Sequence, residues 1–355
     1  MLNLTAPALL LGATALLAQP ALADETWYAD FDTAAAAAAE AGKDLLVDFT
    51  GSDWCGWCHK LDEEVFDHQV FLDGVADQYV LVKLDFPRSE EVKAKVPNPE
   101  RNSELQSEHG VRGFPTILLM TAEGEAFAQT GYQAGGPEAY LEHLGEIHRT
   151  GRATLERIGE VVAAFEGAEG EAKLTALGAL LDLLADQEGG SPFIAQLVPH
   201  ANAAFALDAE NKAGLKLRAV EALLSVGSMS SECEMAATEL DPKNEKGLLE
   251  RVIEAKLSAI ASLEDVTAWV AAAVAFDSEH AFVNTEIQTD VYINIAFFSD
   301  RYVEGAHQQV LTYAAKALEL MPEDHRARPM IEGLVDAGEK IEAEEEEEAG
   351  DAGTR

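Results

Sequence analysis

The fold of this 355-residue chain is decided by the stretch LLVDFTGSDWCGWCHKLDEEVF, residues 45–66. Its first residues form an apolar run, which is typical of a buried strand. A short polar loop follows, and Cys55 and Cys58 then enclose two residues, with His59 directly after them. Beyond the cysteines, apolar residues recur at helical spacing. The stretch therefore predicts a strand, a loop and a helix, with the cysteine pair at the start of the helix.

Three chemistries use a Cys-x-x-Cys-His pattern. A structural zinc site needs four ligands, and the chain has neither a second cysteine pair nor histidines at zinc-finger distance from this one. Haem attachment would bond both thiols to haem and make His59 an iron ligand, but a strand that leads directly into a helix is the wrong structural context for a haem site. This context favours a redox disulfide, because a helix N-terminus stabilises a thiolate. In this interpretation Cys55 attacks a disulfide and Cys58 resolves the mixed disulfide.

Two further residues support the redox interpretation. Asp48 interrupts the apolar strand before the cysteines. If its carboxyl group faces the core, burial raises its pKa and it can exchange a proton with Cys58 through water; if it points outward, it has no such role. Pro115 begins a later strand in the sequence GFPT, where a cis Phe114–Pro115 bond is plausible.

The first part of the chain alternates strands and helices. Strands are predicted at residues 45–50, 79–86, 114–120 and 125–130, and the last two are joined by a glycine-containing hairpin turn. Helical patterns lie between the strands, and another begins at Pro137. This order predicts an α/β fold with a mixed central sheet flanked by helices.

Three separated segments together resemble a known family. They are residues 45–66, VLVKLDFPRSEE (80–91) and ELQSEHGVRGFPTILLM with the residues that follow it (104–144). In this order they are similar to the secreted bacterial thioredoxin-like proteins, specifically the subgroup with Trp-Cys-Gly-Trp-Cys-His instead of Trp-Cys-Gly-Pro-Cys. The resemblance covers roughly residues 26–148. A polar insertion at residues 87–102 departs from the pattern.

The resemblance implies a thioredoxin fold and a thiol–disulfide oxidoreductase that needs no cofactor and no metal. It assigns the attack to Cys55, the resolving step to Cys58 and the buried acid to Asp48. It implies a substrate-binding surface formed by Trp54, Trp57, Phe114 and Pro115. His59 either stabilises the thiolate of Cys55 or faces solvent. The residues between the cysteines tune the redox potential, so reductase, oxidase and isomerase directions stay open.

The whole chain divides into four predicted segments. Residues 1–23 read as a signal peptide, with an apolar run and a cleavage site after Ala23, which predicts a periplasmic or secreted protein. Residues 24–149 form the thioredoxin-like domain, residues 150–340 a helical domain, and residues 341–355 an acidic disordered tail. Either a linker or a continuous helix joins the two domains. No later run is long and apolar enough to predict stable membrane insertion.

The helical domain carries a recurring phrase. It is found at residues 207–214, 240–247, 276–282 and 321–327, each time as a turn between two helices. The spacing is weakly similar to tetratricopeptide repeats. Such an array either binds a protein partner or simply packs. The third cysteine, Cys233, reads as a small buried apolar residue.

Charge limits the partners. The chain has 25 basic and 64 acidic residues, a net charge of −39, which disfavours nucleic acid and anionic lipid. The predicted partners are protein thiols or disulfides and a redox donor or acceptor that the sequence does not identify. An alternative hypothesis is a thioredoxin-fold scaffold with a static disulfide, whose helical array binds a protein.

Overall fold

The computed structural model describes residues 27–338, so the predicted signal peptide and acidic tail lie outside the described residues. The first part of the described chain alternates strands with helices. Its elements are β1 (Trp27–Tyr28), α1 (Phe31–Ala41), β2 (Asp44–Thr50), α2 (Gly56–Leu61), a π-helical turn (Asp62–Phe66), α3 (Gln69–Val75), β3 (Tyr79–Asp85), α4 (Glu90–Lys93), α5 (Pro99–Glu108), β4 (Thr116–Met120) and β5 (Ala126–Thr130).

The strands form one mixed sheet in the order β1-β3-β2-β4-β5. The first three run parallel, β4 is antiparallel to β2, and β5 is antiparallel to β4. The carboxyl ends of β2 and β3 therefore meet the start of β4 at one end of the sheet, which we call the cysteine end. We call the opposite end, where β2 begins at Asp44, the anchor end. The predicted mixed sheet and its four main strands are confirmed, whereas the two-residue strand β1 was not predicted.

Helix α6 joins the sheet to the rest of the chain without a break. It runs from Gly136 to Gly167, through the predicted boundary between residues 149 and 150. The remaining helices are α7 (Gly170–Ala185), α8 (Ile194–Ala201), α9 (Ala204–Leu207), α10 (Leu215–Ser225), α11 (Ser231–Leu240), α12 (Leu248–Ser258), α13 (Leu263–Glu279), α14 (Thr285–Tyr302) and α15 (His307–Leu320). Residues 328–338 are also helical. None of the helices between residues 27 and 338 combines the length and apolar character that crossing a bilayer requires.

Helix α6 is fixed to the anchor end of the sheet. Asp44 accepts a hydrogen bond from His148 Nε2 at 2.8 Å and forms an ion pair with Arg152. Gly151 packs directly on β5, where a Cβ atom would overlap the carbonyl oxygen of Phe127. The helical part of the chain is therefore attached at the end of the sheet that lies away from the cysteines.

The apolar core continues from the sheet into the helices. One cluster of buried side chains includes Leu46 and Phe127 from the sheet and Leu177 and Leu180 from α7. The other face of the sheet packs against α1 and α5 in a separate cluster, and α13 to α15 form a third. The sheet and the first helices after it thus share one core.

Two turns of the helical part have the same construction. The carboxylates of Asp208 and Asp241 accept hydrogen bonds from the backbone N–H groups of Leu215 and Leu248, at 2.8 and 3.0 Å, where the next helix begins. Each turn also contains an asparagine and a glycine with positive φ, which are Asn211, Gly214, Asn244 and Gly247. The first two recurring phrases of the sequence thus fold as equivalent turns between helices.

Candidate functional site

Cys55 and Cys58 lie at the cysteine end of the sheet, where the chain passes from β2 into α2. They are joined by a disulfide, and both are almost fully buried. Cys55 caps α2, because its Sγ accepts a hydrogen bond from the backbone N–H of Cys58 at 3.2 Å. In the reduced protein, an N–H group directed at this sulfur stabilises a thiolate. The local geometry therefore suits Cys55 to be the nucleophile.

Gly51 holds the loop before the cysteines in a tight turn. Its carbonyl oxygen accepts a hydrogen bond from the Cys55 N–H at 2.9 Å. A Cβ atom on Gly51 would lie 2.6 Å from the indole ring of Trp54. Any side chain at this position would displace Trp54, so the loop requires glycine for close packing.

Asp48 faces the core from the middle of β2, only 2% exposed. Among the described residues, its Oδ1 has no hydrogen-bond partner, and Oδ2 lies 4.0 Å from Lys83 Nζ. Burial raises the pKa of this carboxyl group to about 7, against the attraction of Lys83. A carboxyl group with a pKa near neutrality can accept and release a proton under ordinary conditions.

Lys83 and Asp62 complete the surroundings of Asp48, and the sequence interpretation missed both. Lys83 lies directly opposite Asp48 in the register of β2 and β3. Its ammonium group is 2.6 Å from Asp62 Oδ1, at the start of the π-helical turn. A basic residue in an apolar strand was the available signal for Lys83. No local pattern identified Asp62, because its partner is 21 residues away.

The peptide bond between Phe114 and Pro115 is cis. It lies just before β4, at the cysteine end of the sheet. The Phe114 ring stacks on Phe86 with centroids 5.2 Å apart and meets the edge of Trp54 at 5.7 Å. The structure thus brings the predicted residues Trp54, Phe114 and Pro115 together beside the loop that carries the cysteines.

Trp54 is held by Phe86 and by the polar insertion that follows it at residues 87–102. Its Nε1–H donates to the carbonyl oxygen of Phe86 at 2.9 Å, and the Arg88 guanidinium lies 3.9 Å from the ring centroid. The preceding residue, Asp53, accepts hydrogen bonds from the N–H groups of Arg88 and Ser89 at 2.9 and 2.7 Å. The insertion therefore supports the loop that leads to Cys55.

Trp57, between the two cysteines, is 59% exposed. Its ring packs on Tyr132, with centroids 5.2 Å apart. The Lys60 ammonium lies 4.9 Å from the centroid of Tyr132, whose hydroxyl donates to Glu64 at 2.5 Å. These contacts hold a large apolar side chain in solvent next to the disulfide. The sequence interpretation missed Tyr132, which follows β5.

His59 is an exposed residue of α2. Its Nε2 lies 2.7 Å from the carbonyl oxygen of Ser52. Since a carbonyl oxygen only accepts hydrogen bonds, Nε2 carries a hydrogen and donates it. His59 therefore links the first helical turn to the loop that precedes Cys55.

The described residues also bear on metal ligands and on the third cysteine. Between residues 27 and 338, no three histidine, cysteine, aspartate or glutamate side chains are grouped in a way that could hold a metal ion. Cys233 is fully buried in α11 and is not bonded to another cysteine. Burial raises the pKa of its thiol to about 11. These properties fit the predicted role of Cys233 as a packed apolar residue.

Comparison with known proteins gives the same class as the fold and the cysteine pair. The family described as thioredoxin-like domain matches residues 31–147. This part of the chain is a thioredoxin-like domain, as the sequence resemblance predicted, and a helical region follows it.

Particular relatives are Dsb proteins. The chain is 34% identical to "Disulfide bond reductase DsbH" of Chlamydia pneumoniae over 104 residues, which are 29% of this chain and 60% of that protein. It is 30% identical to "Thioredoxin-related protein DsbJ" of the same organism over 101 residues, 27% of each chain. A solved structure, "DsbH Oxidoreductase", is 28% identical and covers 38% of this chain and 93% of its own, with a TM-score of 0.30. The chain thus spans less than two thirds of the length of the two Chlamydia pneumoniae proteins, DsbH and DsbJ.

Proposed function

We propose that this protein is a thiol–disulfide oxidoreductase that acts on protein disulfides through Cys55 and Cys58. The observation that carries the proposal is the Cys55–Cys58 disulfide at the start of α2, in the same domain as a buried carboxyl group with a pKa of about 7. A static disulfide needs no such group, whereas a dithiol that exchanges with substrates needs a proton acceptor.

The reaction runs through a mixed disulfide. The Cys55 thiolate attacks one sulfur of a substrate disulfide, and the other substrate sulfur leaves as a thiolate. Asp48 then takes the proton of the Cys58 thiol, through water, as Cys58 attacks Cys55 Sγ. The bond between Cys55 and the substrate breaks, and the second substrate thiolate leaves. Two electrons pass from the dithiol to the substrate disulfide, and the two thiol protons pass through Asp48 and solvent to the substrate.

We assign the remaining predicted residues to substrate contact. The exposed Trp57 offers an apolar surface beside the disulfide. The backbone of Phe114, before cis-Pro115, pairs with an extended substrate segment by strand addition. Trp54 contacts the Phe114 ring and so supports this surface. His59 steadies the loop at Ser52.

We infer that the protein works as a reductase outside the cytoplasm. The direction rests on the name of the relative DsbH, a disulfide bond reductase. The compartment rests on the predicted signal peptide at residues 1–23. Outside the cytoplasm, the protein would need a dithiol donor to reduce the Cys55–Cys58 pair after each reaction. We also propose that residues 24–149 perform the exchange. Residues 150–340 recruit a protein partner. The second proposal is supported by the two equivalent turns, which give this part of the chain a tetratricopeptide-like array.

Trapping of the mixed disulfide tests the proposal. Reduced Cys58→Ser protein incubated with insulin is expected to accumulate a covalent complex that dithiothreitol releases. Cys55→Ser should form none, and Cys233→Ser should turn over like wild type. If neither Cys58→Ser nor wild type exchanges with any protein disulfide, the pair is a static bond and the oxidoreductase proposal is wrong.

A further inference from the structure

Two carboxylates, those of Asp48 and Asp62, compete for the ammonium group of Lys83. Lys83 is the register partner of Asp48, and both side chains lie on the same face of the sheet. Its Nζ nevertheless lies 2.6 Å from Asp62 and 4.0 Å from Asp48. A separation of 4.0 Å is too long for a hydrogen bond. The closest cation to the buried acid is therefore engaged by another residue.

The position of Lys83 is set by its surroundings. The ammonium lies 4.9 Å from the ring centroid of Trp27 on β1 and 5.9 Å from that of Phe66 in the π-helical turn. Asp62 opens that turn, one helical turn after Cys58, and its backbone N–H bonds to the carbonyl oxygen of Cys58. The carboxylate that holds Lys83 is thus attached to the helix that carries the resolving cysteine.

We propose that Asp62 is a positioning residue of the redox site, which holds the Lys83 ammonium away from Asp48 and so keeps Asp48 able to carry a proton. The proposal rests on the proposed oxidoreductase function, in which Asp48 serves Cys58. With Asp62 present, Asp48 has no hydrogen-bonded cation. Without Asp62, Lys83 is free to close the 4.0 Å separation from Oδ2 of Asp48 and form an ion pair that favours the ionised form of Asp48.

The other charged groups near Asp48 do not replace Asp62. Asp85, on β3, also disfavours ionisation of Asp48, but its carboxylate accepts hydrogen bonds from the N–H and hydroxyl of Ser52. Tyr140, from α6, donates its hydroxyl to the carbonyl oxygen of Gly131 at 3.1 Å. Burial and the nearby Asp48 raise the pKa of Tyr140, which keeps its hydroxyl neutral.

The test is a titration of Asp48 in the oxidised protein, read by ¹³C-carboxyl NMR, with the signal identified by its loss in Asp48→Asn. We expect Asp62→Asn to lower the titration midpoint by about 1 pH unit or more. The conservative variant Asp62→Glu should restore most of the shift. Glu63→Gln is the matched control, since it removes the same charge from an exposed residue of the same turn and should leave the midpoint close to that of wild type.

Removal of Lys83 separates the positioning of its ammonium group by Asp62 from the direct repulsion between the carboxylates of Asp62 and Asp48. Lys83→Met should raise the midpoint, and in that background Asp62→Asn should lose more than half of its effect. A shift in Asp62→Asn no larger than in Glu63→Gln, or a shift that persists undiminished without Lys83, would overturn the proposal. The titration involves no substrate, so its result is independent of whether the protein exchanges disulfides. Failure of the trapping experiment with a positive titration would remove the function but leave the electrostatic role of Asp62.

Discussion

Strand β2 carries two buried carboxylates on the same face, Asp44 where the strand begins at the anchor end and Asp48 nearer the cysteine end. Asp44, at the anchor end, is 7% exposed and is paired with His148 and Arg152. Asp48, four residues later, is 2% exposed, and its Oδ1 has no partner among residues 27–338. Asp44, which is hydrogen-bonded to two basic side chains, fixes α6 to the sheet, whereas Asp48, whose nearest cation is 4.0 Å away, can hold a proton. The difference lies in the partners, since burial is similar at both positions.

The largest expected effect is a difference in reactivity between Cys55, at the cysteine end of the sheet, and Cys233, in the helical part of the chain. In the reduced folded protein at pH 7, iodoacetamide should modify Cys55 at least ~100-fold faster than Cys233, because the thiolate is the nucleophile. The pKa of about 11 leaves about one Cys233 in 10⁴ as thiolate at this pH. Mass spectrometry of the labelled peptides measures both rates. In denaturant the two rates should converge, and similar rates in the folded protein would contradict the assignment.

The next prediction concerns Asp48 and stability. Its pKa rises from 3.8 to about 7 on folding, so the folded state binds more protons between these values and loses stability as the pH rises through them. Asp48→Asn should therefore be more stable than wild type by about 4 kcal/mol at pH 8, since the pKa rises by about 3 units at about 1.4 kcal/mol per unit. At pH 4 the difference should nearly vanish.

Urea unfolding of the oxidised proteins at both pH values measures this difference. A gain that is equal at pH 4 and pH 8 would mean that the substitution acts through packing. A loss of stability at pH 8 would mean that Asp48 is paired in solution, like Asp44.

The close packing of α6 on β5 gives a third prediction. Gly151→Ala should destabilise the protein by about 2 to 3 kcal/mol, because the added methyl group forces α6 away from the backbone of Phe127. Gly159→Ala, two turns further along the same helix, has open space around it and should stabilise by about 0.5 to 1 kcal/mol. Thermal unfolding of both variants checks the opposite signs. Two changes of the same sign would contradict the close packing of α6 on β5.

The smallest effect is expected at the anchor end. Asp44→Asn should destabilise the protein by about 1 to 2 kcal/mol, since the neutral amide leaves His148 and Arg152 one acceptor oxygen instead of two, and the effect stays modest because Arg152 is partly hydrated. Chemical unfolding at pH 8 gives this value beside that of Asp48→Asn, with the opposite sign. If Asp44→Asn were also stabilising, the contrast between the two carboxylates would fail.

Local patterns predicted most of the thioredoxin-like fold. The four main strands follow from short apolar runs, which left two orientations open for Asp48, and the structure shows the buried one. The cis bond before Pro115 was plausible from the sequence GFPT alone. These features depend on residues close in the chain, which is why sequence periodicity and turn chemistry report them.

The remaining features depend on residues far apart in the chain. The contact of Lys83 with Asp62 and the packing of Trp57 on Tyr132 required the register of the sheet. Strand β1 has only two residues, too few for a periodic signal. The sequence left open whether α6 continues past residue 149, because its apolar face is completed by α7 and the sheet, and packing of this kind determines where a helix ends.

The reduction potential of the Cys55–Cys58 pair tests the central claim most directly. Equilibration with dithiothreitol or glutathione buffers, followed by counting of free thiols in Cys233→Ser protein, gives its value. A reductase that exchanges disulfides predicts a potential between about −270 and −200 mV. A potential below about −300 mV would identify a static structural disulfide, and one near −120 mV would identify a disulfide donor. Either of these results would contradict the account.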